Sequence, residues 1–388
     1  MTSAKDAARG QVDAIRDQLI DLSHRIHAHP ELKFEEVRSS VWVAEALASR
    51  GFSVDMGVCD LPTAFVARAG SGPLHVGICA EYDALPDIGH ACGHNIIAAA
   101  AAGAGAALAP LADDLGLTVT VLGTPAEEGG GGKILMLERG AFSGIHAAMM
   151  VHPSPLDEVS RPCLAIDVFD VYYHGKAAHA SAYPEQGINA ADALTVAQTA
   201  VGLLRQHIRP TDRIHGIVTK GGSAPNIVPA ETSGWFCVRA RNVEELAGLA
   251  PRVQRCFEAG ALATGCTMDI VPQSPRYSEM KADEEIGLFY RANAEALGRR
   301  FPDIPEEVQQ RTAASTDMAN VSLAIPTIHP WIGIDSLPAV NHQPEFAAAC
   351  ITAKADQATF DGAVAMAWTA IDLVETESVR SRLLAAVS

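Results

Sequence analysis

Four short apolar runs, separated by segments with helical periodicity, limit the possible folds of this chain more than any other property. They lie at residues 74–80, 117–122, 147–151 and 326–331, and each ends in a polar or glycine-rich turn. Continuous apolar runs of this length are typical of parallel strands that are buried on both faces. The Ala-rich segment 96–110 lies between the first two runs and is expected to be a buried helix. This alternation predicts an α/β fold, with a mostly parallel sheet and helices on both of its faces.

The middle of the chain has a different pattern. Strands with alternating apolar and polar residues are expected at 163–174, 213–219 and 233–240, and helices at 188–206 and 243–260. This order suggests a β-α-β-β-α-β open sandwich. We therefore expect a small α+β domain at 165–275, inserted into a larger domain formed by 1–164 and 276–388.

Composition excludes some classes of partner. The chain of 388 residues carries 29 Lys and Arg against 46 Asp and Glu, which gives a net charge of −17. Nucleic acids and anionic membranes require basic surfaces, so neither is expected as a partner. No apolar run looks long enough to span a bilayer, and the N-terminal segment is polar, so a cytoplasmic location is expected. The eight cysteines form no C-x-x-C pair and are expected to be buried thiols, except Cys92.

The residues that could carry chemistry follow the predicted strands. The segment Glu81-Tyr82-Asp83 comes after the first strand, the pair Glu127-Glu128 after the second, and His152 after the third. Two further segments precede helices, and they contain Cys92, His94 and His342. In open α/β sheets, ligands and catalytic groups collect at the carboxyl ends of the strands. Five segments therefore point His, Cys and Glu residues at one edge of the sheet.

These residue types suit zinc or a similar divalent ion. Thiolate, imidazole and carboxylate are the usual zinc ligands, and a catalytic zinc site keeps one position open. Two ions about 4 Å apart could share one ligand, and Cys92 could be that bridge. Of the adjacent carboxylates Glu127 and Glu128, one could bind metal while the other takes a proton from an activated water.

Other interpretations of single motifs are weaker. The run Gly129–Gly132 followed by Lys133 is similar to a phosphate loop, but Ile134 stands where that loop requires Ser or Thr. Gly103 and Gly105 lack the remaining features of a dinucleotide-binding motif and indicate close helix packing instead. The H-E-x-x-H and G-x-S-x-G motifs of zincins and serine hydrolases are absent. A purely structural zinc module would have its ligands in close Cys and His pairs.

Considered together, the motifs resemble those of a known family. The segments HAHPELKFEE, AEYDALPDIGHACGHN, GTPAEEGGGG, MMVHP, HGKAAHAS and NHQPEF are similar to those of the aminoacylase and carboxypeptidase-type zinc peptidases. The similarity is strongest to the branch with aminobenzoyl-glutamate hydrolases, auxin-conjugate hydrolases and unusual dipeptidases. The resemblance implies a catalytic domain with two divalent ions, zinc or manganese, and an inserted lid domain through which two subunits form a homodimer.

The resemblance also assigns roles to individual residues. The implied metal ligands are Cys92, as the bridge, His94, Glu128, His152 and His342. Glu127 is the implied general base and acid, and Asp83 supports the metal site. Glu81 stands where other members of the family have a His ligand, a departure for which His94 compensates.

In the inserted domain, the resemblance implies that His179 polarises the scissile carbonyl and that Asn226 binds a substrate oxygen. A structural His or Asn at a turn remains the alternative for each. Arg239 is a weaker candidate for binding the substrate carboxylate, since an Arg on an alternating strand is often solvated. Thr316 resembles a substrate-side residue, although helix capping would also explain it.

The expected reaction is hydrolysis of an amide bond. A metal-activated water, deprotonated by Glu127, would attack the carbonyl of an N-acyl amino acid or an aryl-amide conjugate such as aminobenzoyl-glutamate. A dipeptidase that acts on β-alanyl or basic dipeptides is the alternative. A non-catalytic binding protein with the same fold is a remote one, because Glu127 and the ligand residues are all present.

Overall fold

The structure is a computed structural model that describes residues 3–386. The chain forms two compact units. The first comprises the residues up to Pro162 together with those from Met280 onwards, and the second comprises Cys163–Glu279.

In the described residues before the second unit, the chain forms six α-helices and six strands. The helices are α1 (Ala4–Ala14), α2 (Arg16–Ala28), α3 (Val37–Ala48), α4 (His94–Leu108), α5 (Ala112–Leu115) and α6 (Gly132–Glu138). The strands are β1 (Ser53–Met56), β2 (Phe65–Ala69), β3 (Leu74–Ala80), β4 (Leu117–Gly123), β5 (Ala147–Met149) and β6 (His152–Ser154).

The second unit and the rest of the first unit follow. The second unit contains β7 (Ala165–His174), α7 (Ala190–Leu204), β8 (Arg213–Lys220), β9 (Glu231–Ala240), α8 (Val243–Thr264) and β10 (Thr267–Pro272). After it come α9 (Glu284–Ala296), α10 (Glu306–Arg311), α11 (Met318–Ala324), β11 (Thr327–Ile328), β12 (Trp331–Gly333), α12 (Pro344–Ala349), α13 (Ala353–Glu375) and α14 (Glu377–Ala385).

The sheet of the first unit has the strand order β1-β2-β4-β3-β5-β11. The strands β4, β3, β5 and β11 run parallel, whereas β2 is antiparallel to β4 and β1 is antiparallel to β2. A separate parallel pair, β6 with β12, brings Trp331 beside His152. The predicted run 147–151 contains β5 and ends just before β6, whereas the run 326–331 contains β11 and the first residue of β12.

Helices cover both faces of the sheet. On one face, β3 and β4 pack with α1, α2, α4 and α13 around one apolar core. On the other face, Cys79 and Leu122 pack with α6 and α11 in a second core. The predicted α/β fold, with a mixed and mostly parallel sheet, is therefore confirmed.

Helix α4 lies at the centre of this unit, and all its residues are buried. A Cβ atom added at Gly103 would lie 2.8 Å from the side chains of Ala363 and Leu19, and one at Gly105 would lie 2.7 Å from Val121. The two glycines therefore allow neighbouring elements to approach the helix closely, as the sequence suggested.

One expectation about membrane spans needs correction. The helical stretch His94–Leu115 is long and apolar enough to cross a membrane by length and composition, although no such run was expected. However, 83% of its most apolar window is buried inside the protein. The apolar composition of this stretch thus reflects its place in the core.

The second unit has the predicted order of elements, β7-α7-β8-β9-α8-β10, and β10 is the final strand, to which no range was assigned from the sequence. Its antiparallel sheet has the order β10-β7-β9-β8. The helices α7 and α8 pack on this sheet around a core of their own, which includes Phe236, Val238 and Phe257.

Candidate metal centre

The first unit brings together the polar residues that follow its strands and precede its helices. We call the following set the donor cluster: Glu81, Cys92, His94, Glu127, Glu128, His152 and His342. Cys92 and His94 flank Gly93, which has a φ of 78° and precedes α4. A Cβ atom at Gly93 would lie 2.4 Å from the ring of Pro153, so this position requires glycine for the chain to pass so close to β6.

Cys92 is at the centre of the donor cluster. Its Sγ lies 3.5 Å from Nε2 of His152 and 3.6 Å from Nε2 of His342. Nε2 of His342 in turn lies 3.7 Å from Oε1 of Glu128. Two groups of possible ligands share the thiol, one with His94 and His152 and the other with Glu128 and His342, and the donor atoms of each group lie within 4.8 Å of one another.

A third possible ligand group contains Glu81, which was not among the metal ligands expected from the sequence. Glu81, His94 and Glu127 offer donor atoms within 4.8 Å of one another. Nε2 of His94 lies 3.4 Å from Oε2 of Glu81 and 3.9 Å from Oε2 of Glu127. Glu81 therefore lies within the donor cluster, next to the predicted base.

A buried ion pair beside Glu81 was not predicted from the sequence. Nζ of Lys133 lies 2.5 Å from Oε1 of Glu81 and donates a 2.7 Å hydrogen bond to Oδ1 of Asp317. The backbone N–H of Lys133 donates to Oδ2 of the same aspartate, at 2.9 Å. A lysine that follows a glycine run and opens an apolar segment was the available signal.

In both His94 and His152, the ring nitrogen Nδ1 contacts a neighbouring oxygen atom. Nδ1 of His94 lies 2.9 Å from Oδ1 of Asp83, and Oδ2 of Asp83 accepts from the backbone N–H of Glu128 at 2.9 Å. Nδ1 of His152 lies 2.9 Å from the carbonyl oxygen of Pro153. With Nδ1 as the donor, Nε2 of each ring keeps the lone pair that binds a metal ion.

The charges of the donor cluster are not balanced by its own residues. Burial raises the pKa of the Cys92 thiol well above its usual range, and the carboxylates of Glu128 and Glu127 add to this rise. Burial also raises the pKa of Glu127, again with help from Glu81 and Glu128. A nearby divalent cation would offset this repulsion and favour the thiolate and carboxylate forms.

The histidine His152 is held in its neutral form. Burial lowers its pKa well below the usual range, and His329, whose ring centroid is 5.4 Å away, adds to the effect. Neutral imidazole is the form that binds metal.

Several buried atoms of the donor cluster have no hydrogen-bond partner. Among them are Nε2 of His94 and Oε1 of Glu128. Buried polar atoms nearly always have a partner, and both of these are metal-ligand types. The residues present therefore fit a divalent metal ion.

Thr316 also lies in the first unit, where it is buried. Its Oγ1 accepts a 3.2 Å hydrogen bond from the backbone N–H of Met318, the first residue of α11. The hydroxyl thus makes the local contact that the capping alternative described, and the adjacent Asp317 contacts Lys133.

Of the three candidate residues in the second unit, His179 and Asn226 lie next to each other, and Arg239 lies on β9. The exposed His179 and Asn226 are neighbours, because Ala180 donates a 3.0 Å backbone hydrogen bond to the carbonyl oxygen of Asn226. Arg239 is half-buried on β9, opposite Arg213 on β8, and burial lowers its pKa. It is therefore not the fully solvated arginine that the alternative interpretation expected.

Comparisons with known proteins agree with this geometry. Residues 77–356 match the sequence profile of peptidase family M20/M25/M40. The Xaa-Arg dipeptidase of Mus musculus is 40% identical over 387 residues, which cover 95% of this chain and 89% of that protein. One component of the p-aminobenzoyl-glutamate hydrolase of Escherichia coli (strain K12) is 33% identical over 279 residues, 66% of this chain and 58% of that protein.

The fold is also similar to solved structures. A dinuclear metal-binding peptidase of the M20 family from Bacillus subtilis superposes with a TM-score of 0.68 at 22% identity, over 94% of this chain and 99% of that one. The resemblance inferred from the motifs is thus confirmed, and this chain is a hydrolase of amide bonds that belongs to peptidase family M20/M25/M40.

Proposed function

We propose that the donor cluster holds two divalent ions, zinc or manganese, and that the protein uses them to hydrolyse the amide bond of a small substrate. The observation that carries this proposal is the Cys92 thiol, which is shared by two groups of possible ligands. One ion would be held by Cys92, His94 and His152. The other would be held by Cys92, Glu128 and His342. The thiolate of Cys92 would then be a ligand that the two ions share.

The protein's own residues would divide the remaining work. Bound divalent ions supply Lewis acidity, which polarises the amide carbonyl and makes water more acidic. Glu127 would take the proton from the attacking water and later give it to the leaving amine. The carboxyl suits both steps, because burial and its acidic neighbours raise its pKa. Asp83 would keep His94 oriented.

The residues of the second unit would bind substrate. We propose that His179 polarises the scissile carbonyl, that Asn226 binds a substrate oxygen and that Arg239 binds the substrate carboxylate. The proximity of His179 to Asn226 supports a joint role for that pair. The second unit would then serve as a lid and as the contact between two subunits. We propose that this inserted domain has its limits near 165 and 275. Thr316 would assist from the first unit.

Two substrate classes remain, and one is favoured. An N-acyl amino acid or aryl-amide conjugate is supported by the E. coli relative, whose similarity covers 66% of the chain. A dipeptide with a C-terminal basic residue is supported by the mouse relative, whose similarity covers 95%. We therefore propose the dipeptide class as the first to test. The eight cysteines are all free, which suits a reducing compartment such as the cytoplasm.

The test combines a substrate panel with one substitution. The protein, supplied with zinc or manganese, is assayed on Xaa-Arg and β-alanyl dipeptides, N-acetyl amino acids and aminobenzoyl-glutamate. Glu127→Gln should lower kcat by several powers of ten and leave the metal content unchanged, because the side chain keeps its shape but no longer takes a proton. Chelation should abolish turnover of the wild type and leave it folded. Near-normal turnover by Glu127→Gln would contradict the proposal.

A further inference from the structure

The HAHPELKFEE segment ends in a buried carboxylate that the proposed reaction does not use. Glu36 lies immediately before α3 and its exposed fraction is 0%. Its Oε1 accepts hydrogen bonds from the backbone N–H groups of Phe34, at 2.9 Å, and Ala126, at 2.8 Å. Its Oε2 accepts from Oγ1 of Thr63, at 2.9 Å. One carboxylate therefore connects the beginning of α3 to the turn that carries Glu127.

Ala126 is an unusual residue in that turn. It has a φ of 59°, in the left-handed region that residues with a Cβ atom rarely adopt. Its carbonyl oxygen accepts from the backbone N–H groups of Gly130 and Gly131, both at 2.9 Å. Such a conformation persists only where its surroundings fix it. The hydrogen bond from Ala126 to Glu36 is one of these restraints, and Glu127 is the next residue.

Neighbours of Glu36 hold the same turn from outside. A Cβ atom at Gly130 would lie 2.6 Å from the ring of Phe34, so the ring already packs closely against this glycine. Nζ of Lys33 donates to the carbonyl oxygen of Gly129 at 3.3 Å. The segment 33–36 therefore contacts the turn 126–130 at three points.

Stability alone is a poor explanation for this carboxylate. Burying a carboxyl group is costly, and here burial and the charge of Asp83 raise the pKa of Glu36 to about 7. An apolar side chain of similar volume would avoid this cost, but it would leave the N–H of Ala126 without its acceptor.

We propose that Glu36 is a positioning residue, which acts through the backbone of Ala126 to hold Glu127 in its reactive geometry. This inference rests on the proposed role of Glu127 as the base. Glu36→Gln should keep the arrangement, since its amide oxygen replaces Oε1 and its NH₂ group donates to the Thr63 hydroxyl. Glu36→Ala should release the turn. A displacement of the base by about 1 Å costs on the order of 100-fold in rate.

Glu31 provides a matched control from the same segment. Its carboxylate accepts from four donors, the backbone N–H and Nε of Arg38 and the backbone N–H and hydroxyl of Ser39, and so holds the first turn of α3. Glu31→Ala should therefore lower stability without releasing the turn at Ala126. All variants are prepared with metal bound, and kcat, KM, metal content and amide hydrogen exchange of a peptide spanning 124–131 are measured.

We expect Glu36→Ala to lower kcat by about 100-fold with KM within about twofold and metal content unchanged. Exchange in 124–131 should be faster in this variant alone, and Glu36→Gln should restore both properties. Equal losses of kcat in Glu36→Ala and Glu31→Ala, or unchanged exchange in 124–131, would overturn the inference. Glu127→Gln, assayed beside them, separates the two proposals. If Glu127→Gln is inactive and Glu36→Ala is not impaired, the role of Glu36 is wrong. If Glu127→Gln keeps turnover, the role of Glu127 is wrong.

Discussion

Replacement of Lys133 by methionine isolates the buried ion pair beside the donor cluster. The side chains of Lys133, Glu81 and Asp317 have exposed fractions of 0%. Burial opposes the charge of the ammonium group, but the carboxylates of Asp317 and Glu81 hold the pKa of Lys133 well above its usual value. Methionine keeps much of the unbranched apolar stem and removes the charge. Two buried carboxylates then lose their shared cation.

The size of the effect follows from this loss. Removing one partner of a buried ion pair costs about 3–5 kcal/mol, because the other partner stays buried without compensation. For a unit of this size, about 2 °C of melting temperature corresponds to each kcal/mol, so Lys133→Met should lower the melting temperature by about 6–10 °C. Adding Asp317→Asn should recover at least about 1 kcal/mol, since one of the two uncompensated charges is removed while an acceptor for the backbone N–H remains.

Thermal and urea unfolding in the presence of a chelator measure this effect without a contribution from metal binding. Lys354→Met is the control, because the Lys354 side chain is 71% exposed and lies 3.7 Å from the similarly exposed Asp335. The free energy of unfolding of Lys354→Met should differ from that of the wild type by no more than about 0.5 kcal/mol. If Lys133→Met lost no more stability than Lys354→Met, the argument from buried charge would be refuted.

Two further predictions concern Gly132 and Glu36, which lie close to the turn that carries Glu127. In Gly132→Ala the new Cβ would lie 1.8 Å from the carbonyl oxygen of Pro125, so we expect a loss of at least about 2 kcal/mol and of turnover. Gly202→Ala in α7 meets nothing within 4 Å and should slightly raise the unfolding midpoint. The second prediction is a pH dependence. Because the pKa of Glu36 rises from 4.5 to about 7 on folding, its contribution to stability is complete below pH 4.5 and is lost as the pH rises through 7. Urea unfolding measured between pH 4 and 8 should show that the free energy of unfolding of the wild type falls by on the order of 3 kcal/mol relative to that of Glu36→Gln. If the free energies of the two proteins changed in parallel with pH, this prediction would be wrong.

The sequence predicted the centre of the fold because the central strands have no exposed face. The runs at 74–80 and 117–122 became β3 and β4, in which nearly every residue is buried, so their apolar pattern is continuous. β1 and β10 are mostly exposed or half-buried, and their polar residues gave no comparable signal. The antiparallel pairing of β2 with β4 depends on contacts between distant segments, which no local pattern encodes.

The same limit applies to the candidate site. The motif residues could be predicted to converge, because each follows a strand or precedes a helix at one edge of the sheet. The contact of Lys133 with Glu81 and Asp317 joins three distant segments, and each charge alone is typical of a solvated surface. The left-handed backbone of Ala126 and of His342 (φ 69°) was equally hidden, since neither residue type announces it as glycine would.

The insertion of the second unit also affects the order in which the protein can fold during synthesis. β5 pairs with β11, yet the whole of the second unit is translated between them. Until β11 emerges from the ribosome, β5 is an open edge and the part of the first unit from Met280 onwards is incomplete, whereas the second unit is already complete. The long helix α13, which packs against α4 in the core, is made later still. Assembly of the donor cluster is therefore a late event, and a chain cut short before His342 would contain a whole second unit but lack one member of the donor cluster.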